Sequence, residues 1–194
     1  MPNSDQTPQK TDRRVLYTKM FLRESLLSLM REMPISKITP TELCRRAGIN
    51  RNTFYTHYQS AEDLLNSIEA ELYDKVREAL EQLGSGLSNR ALITQVCITI
   101  QENSDLCSVL LSENGDPQLL ERLISLAHEQ TMLVWRASGI HADAALLETL
   151  YTFSVSGSVA VIREWVRAGM PQPPETLAQQ LEQLTYGGLR AFAK

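Results

Sequence analysis

The stretch TELCRRAGINRNTFYTHY, residues 41–58, decides the fold of the N-terminal third of the chain. It starts as an amphipathic helix, breaks at Ala47-Gly48 and restarts directly after Asn50. Gly48 has no Cβ and can adopt the left-handed conformation that ends a helix. Asn50 is a favoured residue at the start of a helix. The stretch therefore predicts two short helices joined by a tight turn.

The flanking residues predict two further helices. Apolar residues at three- and four-residue steps indicate a first helix over residues 12–31. Thr39, Pro40 and Glu42 provide an N-cap, a proline at the first helical position and an acidic residue three places after the cap. This is the capping box that begins the second helix. Ser60 is the expected cap of a fourth, much longer helix.

Helical spacing continues to the C-terminus, which predicts an all-α protein. Residues 1–11 are expected to form a disordered arm, residues 12–59 a three-helix domain with a helix-turn-helix, and residues 60–83 a long connecting helix. A glycine-rich linker precedes a C-terminal helical bundle over residues 87–194. Its predicted helical segments are residues 88–102, 105–113, 117–138, 142–168 and 174–192.

Charge is distributed unevenly along the chain. Residues 1–59 hold ten Lys/Arg and five Asp/Glu, a net charge of +5, whereas residues 60–194 carry −9. One end is therefore suited to a polyanion. No charge-free run of about 20 apolar residues exists, so no membrane contact is expected. The three cysteines, with no metal spacing and no preceding secretory signal, suggest a reducing cytoplasm.

A helix-turn-helix unit places its second helix in the major groove of DNA, where the first residues of that helix reach base edges. Arginine can donate two hydrogen bonds to guanine, asparagine can pair with adenine, and threonine offers a methyl group to thymine. The predicted base-reading residues are Arg51, Asn52, Thr53 and Thr56. The predicted phosphate contacts, which fix register without reading sequence, are Thr39, Thr41, Arg46, Tyr55, His57 and Tyr58.

Two other interpretations of the helix pair stay open. The pair can be purely structural, with Tyr55 and Tyr58 packed on the first helix, or it can bind another protein. The positive charge of residues 1–59 favours DNA. No Ser/His/Asp arrangement, glycine-rich phosphate loop or apolar carboxylate pair is present, so we expect neither an enzyme nor a cofactor. The three scattered histidines predict no metal site.

Residues 38–60, ITPTELCRRAGINRNTFYTHYQS, followed by Glu62-Asp63-Leu64, resemble the DNA-binding signature of the TetR/AcrR family of bacterial transcriptional regulators. The Ile-Thr opening, the Ala-Gly-Ile turn and the His-Tyr pair all match. One position departs: Ala61 stands where the family usually has a lysine that contacts a phosphate. The resemblance implies a homodimer that binds the two halves of a near-palindromic operator and represses transcription.

Residues 150–170 and 174–178 resemble the last two helices of the branch of this family that includes a regulator of dihydroxyacetone kinase genes. This implies that the C-terminal domain supplies the dimer contacts and an effector pocket. Small residues on the first of these helices would permit close approach of a partner helix. An internal packing seam is the alternative. The predicted interface residues are Gly157, Ser158, Val161, Trp165, Leu181 and Leu184.

An effector pocket would be lined by apolar groups with a few polar ones. The candidates are Cys97, Cys107, His128, Trp135, Tyr151 and Ser154. Ordinary packing is the alternative for each, and Cys97 and Cys107 could instead form a redox pair. The expected function is a repressor released from DNA by a small-molecule effector. The alternative is a similar DNA-binding protein that is controlled by a protein partner or acts without a ligand.

Overall fold

The computed structural model describes residues 8–82, 88–137 and 142–189. Within these ranges the chain forms α-helices and one short 3-10 turn, which confirms the all-α prediction. The helices are α1 (Pro8–Met30), α2 (Pro40–Ala47), α3 (Arg51–His57), α4 (Ala61–Gln82), α5 (Asn89–Glu102), α6 (Ser104–Leu110), α7 (Pro117–Ala137), α8 (Ala144–Arg167) and α9 (Pro174–Leu189). The 3-10 turn, Ile35–Lys37, lies between α1 and α2.

The chain divides into two compact units, Met1–Ala70 and Glu71–Lys194. In the first unit α1 packs against α2, and α2 packs against α3. Leu26, Leu43, Phe54 and Leu64 are buried almost completely, so each of the four helices sends an apolar side chain inward. Burying a side chain of this size contributes roughly 1.5–3 kcal/mol. This packing fixes the direction in which the short α3 points.

Two predicted boundaries differ from the structure. α1 begins at Pro8, so residues 8–11 are helical and do not belong to a disordered arm, while residues 1–7 lie outside the described ranges. Proline is tolerated at the first helical position because the N–H that it lacks has no partner there. The first unit extends to Ala70 and not to residue 59, since Ala61, Leu64 and Ile68 of α4 are buried.

The second unit contains the rest of α4 and the five helices that the sequence predicts after the linker. The predicted linker itself lies outside the described residues. α5 packs most extensively on α9, and α8 contacts α6, α7 and α9. One buried cluster joins Leu80, Leu92, Trp135, Leu147 and Tyr151. It brings together side chains from α4, α5, α7 and α8.

A second buried cluster shows where two predicted interface residues lie. Trp165 and Leu181 are 4% and 2% exposed and pack with Cys97 between α5, α8 and α9. The Trp165 Nε1–H also donates a hydrogen bond to the Gln172 carbonyl at 2.9 Å. The protomer thus buries both side chains in its own core, as the alternative of an internal packing seam has it. Periodicity identifies an apolar row but not the helix that covers it, and here α5 covers this one.

α8 combines length with low polarity. It is long and apolar enough to cross a membrane by length and composition alone, and 17% of its most apolar window is buried. Glu148 and Arg163 bound its longest charge-free run, which is shorter than the ~20 residues that a span requires. A helix that packs on three neighbours and still exposes apolar surface is typical of a protein interaction face.

Candidate nucleic-acid interface and effector cavity

The turn between α2 and α3 has the predicted geometry. Thr39 Oγ1 accepts a hydrogen bond from the Glu42 N–H at 3.2 Å. Gly48 adopts φ 66° and ψ 25°, and Asn50 Oδ1 accepts a hydrogen bond at 2.8 Å from the backbone N–H two residues on. The capping box is only half formed, because the Glu42 carboxylate pairs with Arg45 at 2.6 Å. The helix ends are thus held by local contacts that sequence spacing can predict.

The start of α3 presents polar side chains to solvent. Arg51, Asn52 and Thr53 are all exposed. The Arg51 guanidinium carbon lies 5.9 Å from the centroid of the Tyr55 ring, and its Nη2 lies 3.4 Å from the Tyr55 hydroxyl. Contacts of this kind at an exposed site are weak, so a base can replace them. Within the described residues, the side chains of Asn52 and Thr53 have no hydrogen-bond partner and are available for bases.

Two residues that were predicted to contact DNA already make contacts within the protein. Thr56 Oγ1 donates a hydrogen bond to the Asn52 carbonyl at 2.9 Å, so its methyl group and oxygen lone pairs are what it can offer DNA. Tyr58 is 8% exposed, and its ring centroid lies 6.0 Å from that of Phe54. Tyr58 therefore packs in the core beside Phe54. A phosphate contact by its hydroxyl stays a prediction.

Arg46 has a structural partner that the sequence did not reveal. Its Nη1 donates hydrogen bonds to Glu32 Oε1 at 2.7 Å and to Ser28 Oγ at 2.9 Å. The hydrogen bond and the charge of Arg46 hold the pKa of Glu32 below its usual value. A guanidinium paired in this way has less charge to offer a phosphate. The structure therefore argues against Arg46 as a phosphate contact and assigns it to joining α2 to α1 and the turn that follows.

The remaining predicted phosphate contacts lie at the surface. Thr39, Thr41 and Tyr55 are exposed, and His57 is half-buried. Ala61, at the position where a lysine was expected, is 0% exposed. Its methyl group is enclosed by protein, so this position contributes packing. Phosphate contacts by Thr39, Thr41, Tyr55 and His57 stay predictions.

The second unit contains a cavity of about 200 Å³ with an almost wholly apolar lining from α4 to α9. Four predicted pocket residues, Cys107, Trp135, Tyr151 and Ser154, line it. Cys97 and His128 are not among the residues that line it. Cys97 belongs to the neighbouring core cluster. His128 is half-buried, its ring packs edge-on against Tyr151 with 4.6 Å between the centroids, and its Nε2 lies 3.0 Å from Glu148.

The cysteines behave as buried, unpaired thiols. Cys44, Cys97 and Cys107 are free and buried. Burial raises the pKa of Cys97 and of Cys107 to about 12 each. Thiols of this kind are protonated at neutral pH and react poorly. The structure favours packing over a redox pair. Within the described ranges, no group of three His, Cys, Asp or Glu is arranged to hold a metal ion.

Three apolar side chains of α8 and α9, here called the apolar stripe, are exposed and not packed in the core of the protomer. Phe153 is 79% exposed, Leu184 71% and Val161 39%. Gly157 lies one helical turn from Phe153 and from Val161, and a Cβ built on it meets no atom within 4 Å. Ser158, also predicted at the interface, is half-buried and lines the cavity. Phe153 was not predicted, although its four-residue spacing from Gly157 was visible in the sequence.

Comparison with known proteins identifies the family to which the chain is similar. Residues 88–187, more than half of the chain, match the TetR family described as "Transcriptional regulator C-terminal region". An uncharacterized HTH-type transcriptional regulator of Bacillus subtilis, YxbF, is 24% identical over 189 residues, which cover 94% of this chain and 48% of that protein. The chain thus spans about half the length of the curated relative it matches.

Solved structures share the fold. A TetR transcriptional regulator from Streptococcus agalactiae is 23% identical, with a TM-score of 0.65 over 92% of this chain and 99% of that one. The fatty acid degradation regulator FadR from Bacillus halodurans is 14% identical, with a TM-score of 0.66 over 89% and 96%. The dihydroxyacetone kinase operon activator DhaS is 16% identical, with a TM-score of 0.59 over 91% and 98%. The chain belongs to the TetR family of transcriptional regulators.

Proposed function

We propose that the chain binds a near-palindromic DNA operator as a homodimer, represses transcription there, and is released by a small molecule bound in the cavity of its second unit. The observation that carries the DNA-binding part is the exposed start of α3. Arg51, Asn52 and Thr53 stand at the end of a short helix whose direction the Gly48 turn determines. This is the position from which a recognition helix reads bases.

Charge supports the same conclusion. The net charge of +5 over residues 1–59 suits a polyanion, whereas the remainder of the chain carries −9 and would be repelled by it. DNA would therefore meet the protein at the helix-turn-helix. A protein that acts on DNA in this way would work in the cytoplasm, where free buried thiols are stable.

The apolar stripe of α8 and α9 supports a homodimer. Phe153, Val161 and Leu184 would remain exposed to water in a monomer, and burying such surface is the main favourable term in association. Gly157 lets a partner helix approach closely along this stripe. A two-fold dimer would place two α3 helices against the two halves of a palindromic site.

The cavity supports control by a small molecule over control by a protein partner. Its volume of about 200 Å³ exceeds the 150 Å³ or so of an engineered cavity that admits benzene. A protein whose C-terminal domain served only for dimerisation would gain stability from a filled core. The sign of regulation needs its own test, because the structural neighbour DhaS is named as an operon activator. A reporter gene placed behind the selected operator measures whether the protein represses or activates, and we expect repression.

Selection from random duplex DNA tests the proposal. The full chain should enrich an inverted repeat whose half-sites lie about one helical turn apart or a multiple of it. Affinity for that sequence should fall steeply with salt, because phosphate contacts release counterions. A variant in which Arg51, Asn52 and Thr53 are all alanine is the control and should enrich nothing. No enrichment by the parent chain, or binding that ignores salt, would reject DNA recognition by α3.

A further inference from the structure

Trp135 carries a feature of the cavity that packing does not explain. The side chain is 1% exposed and lines the cavity, yet its Nε1 has no hydrogen-bond partner within the described residues. Leaving a buried N–H unsatisfied costs about 1–3 kcal/mol, and native proteins contain few such groups. The other tryptophan, Trp165, is just as buried but donates to the Gln172 carbonyl at 2.9 Å. The contrast marks Trp135 as a donor without an acceptor.

Three hydroxyls of the lining already donate their hydrogens within the protein. The Tyr151 hydroxyl donates to the Ile124 carbonyl at 2.8 Å. The Thr99 and Thr131 hydroxyls donate to backbone carbonyls four residues back, at 2.9 and 2.8 Å. Ser154, Ser158 and Thr185, which also line the cavity, can rotate their hydroxyls towards a helix carbonyl in the same way. An indole N–H points in a direction fixed by its ring, so Trp135 cannot rotate its donor towards a helix carbonyl as these hydroxyls do.

The charge of the lining limits what that acceptor can be. Asp116 is the one charged residue among the described residues that line the cavity, and no Lys, Arg or His is found with it there. An anionic ligand would lose its hydration without gaining a positive partner, which is strongly unfavourable in an apolar site. The cavity volume limits the size of the ligand. A cavity of about 150 Å³ holds the six carbons of benzene, so this one should hold roughly eight to ten heavy atoms.

We propose that the cavity binds a neutral, largely apolar molecule of roughly eight to ten heavy atoms that presents one hydrogen-bond acceptor, such as a carbonyl oxygen, to the Trp135 indole N–H. This deepens the proposed function by naming the chemical class of the effector. Binding to the cavity can be measured on the protein alone, so the chemistry of the site is separable from its effect on DNA.

Calorimetric titration of the full chain with three probes of similar shape tests the proposal. Propiophenone carries a carbonyl, propylbenzene lacks it, and 3-phenylpropanoate is ionised at neutral pH. Both neutral probes should bind, and 3-phenylpropanoate should bind at least about tenfold more weakly than propiophenone because its charge is unpaired in the cavity. Equal affinity of the anion and the ketone would overturn the neutral class, and absence of binding by both neutral probes would overturn the proposal.

The Trp135→Phe variant isolates the hydrogen bond. It should lower the affinity for propiophenone about 2- to 12-fold more than the affinity for propylbenzene, because only the ketone oxygen loses a hydrogen bond from the indole N–H. Trp165→Phe is the matched control and should leave the ratio of the two affinities unchanged, since that indole is already paired. If Trp135→Phe weakens both probes equally, the indole does not contact the ligand.

A second measurement does not depend on how well the Trp135→Phe variant folds. In the Trp165→Phe variant, Trp135 is the single remaining tryptophan, because the chain contains two. 2-Octanone, a neutral ketone without an aromatic ring, is added to saturation. It should shift the fluorescence emission of Trp135, and an unchanged spectrum would contradict contact between the ligand and Trp135.

A separate experiment tests the effect on DNA, in which propiophenone is added to the complex of the protein with its operator. Binding that depends on Trp135 but does not release DNA would uphold the cavity chemistry and refute only the effector part of the proposed function.

Discussion

Replacing Gly48 by alanine tests how the turn positions α3. Gly48 has φ 66°, in the left-handed region, and a Cβ built there meets no atom within 4 Å. The substitution therefore adds no steric clash, and its whole cost is the backbone strain of about 1–2 kcal/mol that an L-residue has in this conformation. That cost corresponds to roughly 5- to 30-fold in the equilibrium for opening the turn.

Hydrogen exchange measured by mass spectrometry on peptides from residues 40–58 reports this opening locally. In Gly48→Ala, amides of α2 and α3 that exchange through opening of the turn should exchange about 5- to 30-fold faster. Gly48→Asn is the matched control and should accelerate exchange less, because asparagine tolerates the left-handed region better. Exchange as slow as in the parent chain, or an equal effect of both substitutions, would refute the argument from backbone strain.

Three further predictions concern Arg46, two cysteines and Gly157. Arg46→Gln should leave the salt dependence of operator binding unchanged, because the charge of Arg46 is paired with Glu32. If the slope of log K against log salt concentration became shallower by about 0.9 per subunit, Arg46 would contact a phosphate after all. Cys97 and Cys107, with pKa values raised to about 12, should react with iodoacetamide at pH 8 on the order of a thousandfold more slowly than an exposed thiol. The two buried, protonated thiols should contribute their full share to the free energy of unfolding below about pH 9. That share should decline towards pH 12, because the thiols of the unfolded chain lose their protons at a lower pH than the buried ones. A urea midpoint that is constant over this range would contradict their burial. Gly157→Leu should weaken dimerisation at least about tenfold in sedimentation without changing the helical content, since the position is open within the protomer; a parent chain that sediments as a monomer would contradict the dimer itself.

The sequence predicts features that depend on neighbouring residues. The caps at Thr39 and Asn50, the left-handed Gly48 and the ends of α2 and α3 agree with the structure because each depends on residues at most a few positions away. The five C-terminal helices agree to within a few residues over the described ranges, since apolar spacing is also a local signal. The fold class and family could therefore be predicted from the sequence alone.

Features that depend on distant residues could not be predicted. The Arg46–Glu32 pair joins residues fourteen positions apart, and spacing gives no indication of it. Trp165 and Leu181 lie in apolar rows that are equally suited to a partner chain or to α5, and the structure buries them within the protomer. Cys97 and Cys107 are alike in type and setting, yet only Cys107 lines the cavity. Tertiary packing determines these outcomes.

The central claim is that α3 reads DNA bases through Arg51, and binding-site selection on matched arginine variants tests it most directly. Arg51→Ala should relax preference at one base pair in each half-site, at symmetric positions, with a loss of about 1–3 kcal/mol of discrimination there. Arg45→Ala is the control, because Arg45 is also exposed and cationic but lies on α2, paired with Glu42. It should leave the selected sequence unchanged. Identical selected sequences for the parent and Arg51→Ala would contradict base reading by α3.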